Sequence, residues 1–271
     1  MRLSAAFLAP YLRQSDVFSN LLARSVYASK YRRGTETWAQ TCQRCVEGNT
    51  ALDPSVSEDE AQKLYHAMFS MQFLPPGRGL WTGGVPGVPV ESRYNCFYCT
   101  LRSTEDWCWL ADMLMCGGGV GLGLYEVEAL PVVDHGSDSL TLGCEPSHPD
   151  AADVAADVVG RLSDGLAVDD SREGWVEALR YTFAAAYAGR PAGVDVSAIR
   201  PRGAPIRTFG GIAPGPAPLA SLLRRVWAVI RGAAGRRLSS VECLDITNLI
   251  GTCVKSGNVR RSALLALGNP H

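Results

Sequence analysis

The sequence carries almost no net charge, because 26 lysines and arginines are balanced by 27 aspartates and glutamates. A chain without a basic excess has no electrostatic reason to bind a polyanion, so we expect no nucleic acid partner. It also lacks an apolar run near the roughly 20 residues that cross a bilayer. The apolar start of the chain is interrupted at Pro10, without a convincing cleavage site after it. We therefore expect neither a membrane span nor a signal peptide.

Cysteine is too sparse for a disulfide framework. Nine cysteines, an odd number, are scattered over 271 residues, whereas disulfide-rich secreted domains are short and carry paired cysteines. A reducing compartment follows, and we predict a cytoplasmic protein. The length suits one large α/β domain, alone or with a smaller helical partner.

What the sequence does contain is a change of pattern near residue 74. Residues 1–74 are predicted to be a mostly helical region, in which Ser57 and Glu60 form the capping box of one helix. The stretch "FLPPGRGLWTGGVPGVPVES" that begins at Phe73 is crowded with Pro and Gly, and it predicts a boundary without regular helix.

Residues 75–271 alternate strand patterns with helix patterns. The strands are predicted in "RYNCFYCTL", "VGLGLYEVEAL" and "GVDVSAI", and the helices include "REGWVEALRYTFAAAYAG" and one capped by Ser239 and Glu242. This alternation indicates an α/β fold with a mainly parallel sheet or barrel and helices outside. Segment 131–168 is rich in small and acidic residues, with glycines near its ends. This composition predicts an exposed insertion with one short helix.

Four cysteines form two C-x-x-C pairs, Cys42 with Cys45 and Cys96 with Cys99. Two such pairs are the arrangement of a structural zinc site. However, the first pair falls in a helix pattern, and residues 96 and 99 of a strand point to opposite faces. We expect no bound metal, with zinc as the alternative, and we interpret most cysteines as buried free thiols.

Glycine is concentrated in "CGGGVGLGL", residues 116–124. A dinucleotide fingerprint would follow a strand and open a helix, whereas these glycines end a helix pattern and lead into a strand. The local pattern leaves two interpretations open. The glycines allow a ligand to approach the main chain, or they form a tight helix-to-strand turn.

Two loops rich in Gly and Pro or Ser carry arginines. Arginine in such loops suits recognition of phosphate or carboxylate groups, although many loop arginines are only solvated. The candidates are Arg200, Arg202, Arg207, Arg260 and Arg261.

Six motifs occur in an order and spacing that identify a family. They are "FLPPGRGLWTGG", "NCFYCT", "CGGGVG", "DSREGWVEAL", "RPRGAPIRTFGGIAPGPAPL" and "DITNLIGTCVKSGNVRRSALLALG". Together they resemble the N-terminal part of the adenosylcobalamin-dependent (class II) ribonucleoside-triphosphate reductases, over nearly the whole chain and most weakly over 131–168. The resemblance implies an N-terminal helical region followed by the first half of a ten-stranded α/β barrel.

The resemblance also implies residue roles. In this family a cysteine thiyl radical abstracts the ribose 3′-hydrogen, and a cysteine pair supplies two electrons and becomes a disulfide. Cys96 corresponds to one member of that pair. Asn95, Arg78, Gly119 and Gly121 correspond to the substrate pocket.

The two arginine loops resemble the family's specificity loops. "RPRGAPIRTFGG" is similar to loop 1, and "SGNVRRSALL" is similar to loop 2. These loops connect a bound deoxynucleotide effector to the choice of base, which is allostery between two sites. The resemblance thus implies that the five arginines contact a dNTP effector.

Other parts of the family pattern do not occur in this sequence. It contains no N-x-C-x-E motif for the radical cysteine and no terminal cysteine pair. We expect a complementary C-terminal chain or region that binds most of the adenosylcobalamin, and a thioredoxin-like reductant. A split enzyme or a fragment is favoured over a truncated product. The competing function is a non-catalytic deoxynucleotide-binding regulatory module.

Overall fold

The structure is a computed structural model that describes residues 2–14, 17–137, 139–206, 211–255 and 262–269. The chain divides into two compact units, Met1–Arg93 and Tyr94–His271. In the described part of the chain, no helix has the length and apolar character needed to cross a membrane.

The described residues of the first unit form helices and connecting loops. The helices are α1 (Ala5–Leu12), α2 (Leu21–Val26), α3 (Trp38–Thr50), α4 (Glu58–Phe69) and α5 (Gly77–Thr82), with a π-helical turn at Tyr27–Tyr31 and a 3-10 turn at Val90–Arg93. The predicted capping box of α4 is confirmed, because the Ser57 hydroxyl accepts from the Glu60 amide and the Glu60 carboxylate accepts from the Ser57 amide. Tyr65 and Met68 of α4 are fully buried in the core of this unit.

The prediction that the Pro- and Gly-rich stretch holds no regular helix is wrong at α5. Pro76 lies at the N-terminal cap, where a missing N–H removes no helical hydrogen bond. The Thr82 hydroxyl donates to the Arg78 carbonyl (2.7 Å), and Gly83 follows the last turn. Proline and glycine at the ends of a short helix are therefore compatible with it.

The second unit alternates strands and helices. Its elements are β1 (Cys96–Thr100), α6 (Thr104–Met115), β2 (Gly119–Gly123), β3 (Leu140–Cys144), α7 (Ala151–Val154), β4 (Val158–Val159), β5 (Leu166–Ala167), α8 (Arg172–Tyr187), β6 (Ala192–Asp195), α9 (Ala217–Arg231), α10 (Ser240–Lys255) and β7 (Ala263–Leu267). One sheet has the order β1-β2-β7 and the other β4-β3-β6-β5, and every named pair is parallel. The predicted α/β class is confirmed, whereas the half barrel remains a prediction.

Segment 131–168 contains more regular structure than its composition predicts. Besides the short helix α7 it holds β3, β4 and β5, and β3 is an inner strand of the second sheet with Leu142 fully buried. The segment is therefore not simply an exposed insertion. Its predicted bounds, like the predicted domain boundary at residue 74, remain predictions.

A buried aromatic cluster links three helices of the second unit, α6, α8 and α10. Trp107 of α6 stacks on Phe183 of α8 with ring centroids 5.2 Å apart. Its indole Nε1 donates to the hydroxyl of Thr247 on α10 (3.0 Å). Because α6 contacts β1 and β2 while α10 contacts β7, this cluster fixes the helices that cover one face of the first sheet.

Candidate functional site

The first sheet has two unlike faces. Side chains alternate along a strand, and the register pairs Cys96 with Gly119 and Gly119 with Ala263, so these residues share one face. We call this side the open face. It consists of Cys96, Tyr98, Thr100, Gly119, Gly121, Gly123, Ala263, Leu265 and Leu267. The opposite, helix-packed face carries Phe97, Cys99, Val120, Leu122 and Leu264.

Cys96 is the one exposed cysteine of the nine. Seven of the others are buried and Cys99 is intermediate. The main-chain N–H of Gly119 donates to the carbonyl of Asn95 (2.7 Å), which holds the start of β2 beside the thiol. A Cβ added at Gly119 would make only ordinary contacts, the nearest being the Asn95 carbonyl at 3.5 Å and the Ala263 Cβ at 3.7 Å, so a small side chain is sterically tolerated there.

Tyr98 also lies on the open face, although the sequence did not lead us to predict a role for it. A Cβ at Gly121 would lie 3.1 Å from its ring, and one at Gly123 would lie 2.6 Å from its hydroxyl. The ring therefore covers the β2 main chain at these two glycines, and Gly121 is less accessible to a ligand than Gly119. The alternation in "CFYCT", which places residues 96 and 98 on one face, is the signal that could have identified Tyr98.

Burial raises the pKa of several other thiols above that of an ordinary cysteine. Desolvation raises the pKa of Cys99 to about 11, and Asp106 adds to the effect. Burial likewise raises the pKa of Cys45 to about 11 and the pKa values of Cys108, Cys243 and Cys253 to about 12. A thiol whose pKa is raised holds little thiolate near neutral pH, and these cysteines are therefore poor nucleophiles.

The remaining predicted substrate residue, Arg78, lies in α5 of the first unit and is partly buried. Asn95, Cys96, Gly119 and Gly121 all belong to the second unit. Cys96, Gly119 and Gly121 lie on the adjacent strands β1 and β2, and Asn95 directly precedes β1.

Of the predicted effector residues, the structure describes two. Arg200 pairs with Asp170 (Nε to Oδ2, 2.7 Å), and it also donates to the carbonyls of Asp170 and Pro205. Arg202 is exposed and pairs with Asp153 (2.8 Å). The other three, Arg207, Arg260 and Arg261, lie outside the described residues.

Within the described ranges, no group of three or more His, Cys, Asp or Glu side chains is placed to hold a metal ion.

Two family models match this chain. The "Ribonucleotide reductase alpha domain" matches residues 3–85, and the "B12-dependent ribonucleotide reductase, insertion domain" matches residues 132–230. The second match overlaps the predicted insertion 131–168 and continues through β6 and α9.

The curated relatives are also ribonucleotide reductases. The adenosylcobalamin-dependent ribonucleoside-triphosphate reductase of Levilactobacillus brevis is 35% identical over 86% of this chain, and its Lactobacillus leichmannii counterpart is 35% identical over 87%. This chain spans 38% of either relative. A crystal structure of a B-12 dependent (class II) ribonucleotide reductase superposes on the whole chain with a TM-score of 0.81 and 30% identity, and the chain covers 45% of it.

Proposed function

We propose that this chain, which belongs to the adenosylcobalamin-dependent (class II) ribonucleotide reductase family and matches its N-terminal part, carries part of the site where a ribonucleoside triphosphate loses its 2′-hydroxyl. The observation that carries the proposal is the placement of Cys96. It is the exposed thiol among nine, and it lies on the open face beside Gly119, which has no side chain.

The proposed role of Cys96 is that of a reductant. Two thiols are oxidised to one disulfide, and their two electrons and two protons convert the C2′–OH group to C2′–H and a molecule of water. The second thiol must approach Cys96 closely, because disulfide-bonded residues have Cα atoms within about 7 Å. Cys99 does not qualify, since its side chain leaves the strand on the helix-packed face. We therefore assign the second thiol to the part of the relatives that this chain does not span.

The substrate ribose is proposed to lie over the open face where β1 and β2 begin, at Asn95, Cys96 and Gly119. A glycine main chain lets a sugar approach the sheet without steric conflict. Gly121 then shapes the pocket indirectly, because the ring of Tyr98 lies against it. The role of Arg78, which belongs to the first unit, stays a prediction from the family resemblance.

Adenosylcobalamin, when bound, supplies the radical that is passed to a cysteine. The chemistry of the residues fits in one respect, since an exposed thiol lies beside the glycine main chain of β2 on the open face. The described residues of this chain provide the reducing thiol and the strand surface around it. The cofactor contacts are proposed to belong mostly to the rest of the enzyme.

The further partners follow from the same proposal. A dNTP effector is expected at the arginine loops, a thioredoxin-like protein is expected to restore the reduced cysteines, and a complementary C-terminal region is needed for turnover. We propose that the protein works in the cytoplasm, where thiols are kept reduced.

Reconstitution tests the proposal. The purified chain is mixed with a polypeptide covering the remaining length of the relatives, adenosylcobalamin, a ribonucleoside triphosphate and a dithiol. We expect deoxyribonucleotide to form with this chain and none to form with Cys96→Ser. Product formation that survives Cys96→Ser contradicts the assignment.

The alternative is a non-catalytic deoxynucleotide-binding module. The comparisons do not favour it, because the relatives are named as reductases. Tight dNTP binding without any product in the reconstituted mixture would support this alternative instead.

A further inference from the structure

The described ends of the proposed specificity loop 1 form a short antiparallel hairpin. Its arms, 203–206 and 211–213, are joined by the hydrogen bonds Gly203 N to Ala213 O (2.9 Å), Ala213 N to Ala204 O (2.7 Å) and Ile206 N to Gly211 O (2.9 Å). We call these two arms the hairpin. Ile212 is 57% exposed, and Ala213 alone is buried. So little apolar burial does not hold a two-stranded ribbon by itself, and its orientation depends on what holds its base.

A buried carboxylate holds that base. Asp150 is 8% exposed, and its Oδ2 accepts a hydrogen bond from the main-chain N–H of Arg202 at 2.6 Å. The Asp150 amide in turn donates to His148 Nδ1 (3.1 Å). Because Nδ1 is then an acceptor, the ring proton is on Nε2, which donates to the Ile199 carbonyl (2.7 Å). His148 and Asp150 thus hold the chain just before the hairpin at Ile199 and Arg202.

The chain that leaves the hairpin closes over the same carboxylate. Gly215 has φ +77°, a conformation that favours glycine. A Cβ there would lie 2.5 Å from Asp150 Oδ2 and 3.1 Å from the Arg202 nitrogen. The carboxylate is therefore enclosed by the segments on both sides of the hairpin, and residue 215 has no room for a side chain.

We propose that Asp150 is a positioning residue for effector recognition. Together with His148 and Gly215, it fixes the base of the hairpin, and it thereby sets how loop 1 is presented to a deoxynucleoside triphosphate. This inference rests on the proposed effector function. It assigns the specificity of the loop partly to a residue that does not touch the nucleotide.

Two substitutions disrupt this arrangement from opposite sides. Asp150→Ala removes the acceptor, and Gly215→Ala forces the carboxylate and the Arg202 amide apart. Asp150→Asn retains an oxygen acceptor and should restore most of the wild-type behaviour. Asp164→Ala is the matched control, because Asp164 is exposed and the bond that its carboxylate accepts from Ser163 is long, 3.4 Å.

The first measurement is hydrogen exchange of the full chain, read at the amides of Arg202, Gly203 and Ala213. Loss of a buried acceptor should speed exchange at these amides by about tenfold or more in Asp150→Ala and Gly215→Ala. The control should match the unsubstituted chain. Unchanged exchange in both variants overturns the inference, irrespective of any nucleotide.

The second measurement is binding of dATP, dGTP, dCTP and dTTP. We expect Asp150→Ala and Gly215→Ala to weaken binding by about tenfold and to reduce discrimination among the four nucleotides, with recovery in Asp150→Asn. If affinity and discrimination do not change while exchange is faster, the positioning role is overturned. If the unsubstituted chain binds none of the four, the proposed effector function itself is wrong, which is a distinguishable result.

Discussion

The two faces of the first sheet differ in what surrounds a thiol. Cys96 and Cys99 are three residues apart on the same strand, yet Cys96 is exposed on the open face and Cys99 packs against the helices. Burial raises the pKa of Cys99 to about 11, so its thiolate is scarce. The comparison shows that exposure, rather than the spacing of a C-x-x-C motif, decides which sulfur is available for chemistry.

The glycines of β2 extend this comparison. On the open face a Cβ at Gly119 would make only ordinary contacts, whereas one at Gly123 would lie 2.6 Å from the Tyr98 hydroxyl and 2.9 Å from the Tyr125 ring. On the other face of the same strand Val120 and Leu122 are buried. One strand thus tolerates a small side chain at its start, meets aromatic side chains at its end and packs into the core on its other face.

The largest expected effect concerns the two cysteines themselves. In the reconstituted assay Cys96→Ser should lower turnover by about a thousandfold or more, because serine cannot deliver the electrons of a thiol. Cys99→Ser, the matched control, should stay within about threefold of the unsubstituted enzyme. Comparable losses in both variants would show that the two faces are not functionally different.

Thiol alkylation should show the next largest difference. With its pKa raised to about 11, Cys99 holds about a hundredfold less thiolate at about pH 8 than an ordinary thiol. Cys96 is exposed and should therefore be modified first by iodoacetamide in the native protein. Peptide mass spectrometry over time measures this order. Labelling of Cys99 as fast as Cys96 would contradict the structural difference between the faces.

Alanine substitutions at the glycines of β2 test the open face through the free energy of unfolding. Gly123→Ala should lower the free energy of unfolding by about 1–3 kcal/mol, since the added Cβ would lie 2.6 Å from the Tyr98 hydroxyl and 2.9 Å from the Tyr125 ring. Gly119→Ala meets only ordinary contacts and should cost less. Urea unfolding of both variants gives the comparison. A reversed order would mean that Tyr98 does not cover the strand.

The smallest expected effect on stability concerns Glu242, in the first turn of α10. This helix covers the helix-packed face at β7. Hydrogen bonds from Arg236 and Ser239 lower the pKa of Glu242 to about 2. A lowered pKa stabilises the folded state above the ordinary glutamate pKa, and this contribution is lost as the pH falls toward about 2.

Glu242→Gln should therefore destabilise the protein by less than about 1 kcal/mol near neutral pH, because the ion pair is partly solvated. The difference from the unsubstituted chain should vanish in acid. Thermal unfolding across this pH range measures it, and a difference that grows on acidification would contradict the assigned sign.

The elements that were predicted correctly are those with local signals. The capping boxes at Ser57 and Ser239 and the strand patterns around β1, β2 and β6 use residues near one another in the chain. The strands β3, β4 and β5 were missed. β4 and β5 have only two residues each, and all three are strands through pairing with one another and with β6.

The residues of the candidate site also differ in whether the sequence could identify them. Cys96 was found from a motif, and its neighbour Tyr98 could have been found from strand alternation. The contact of Asp150 with Arg202 could not, because the partners are 52 residues apart and the sequence gives no sign of their proximity.

The sequence by itself determined the family resemblance, and it determined that residues 96 and 99 leave a strand on opposite sides. The second point follows from the two-residue repeat of an extended chain, which is a property of covalent geometry. Only the tertiary structure decided which side is open, because α6 and α10 cover one face with side chains from distant parts of the chain. Burial depends on such long-range packing, and so does the chemistry of each thiol.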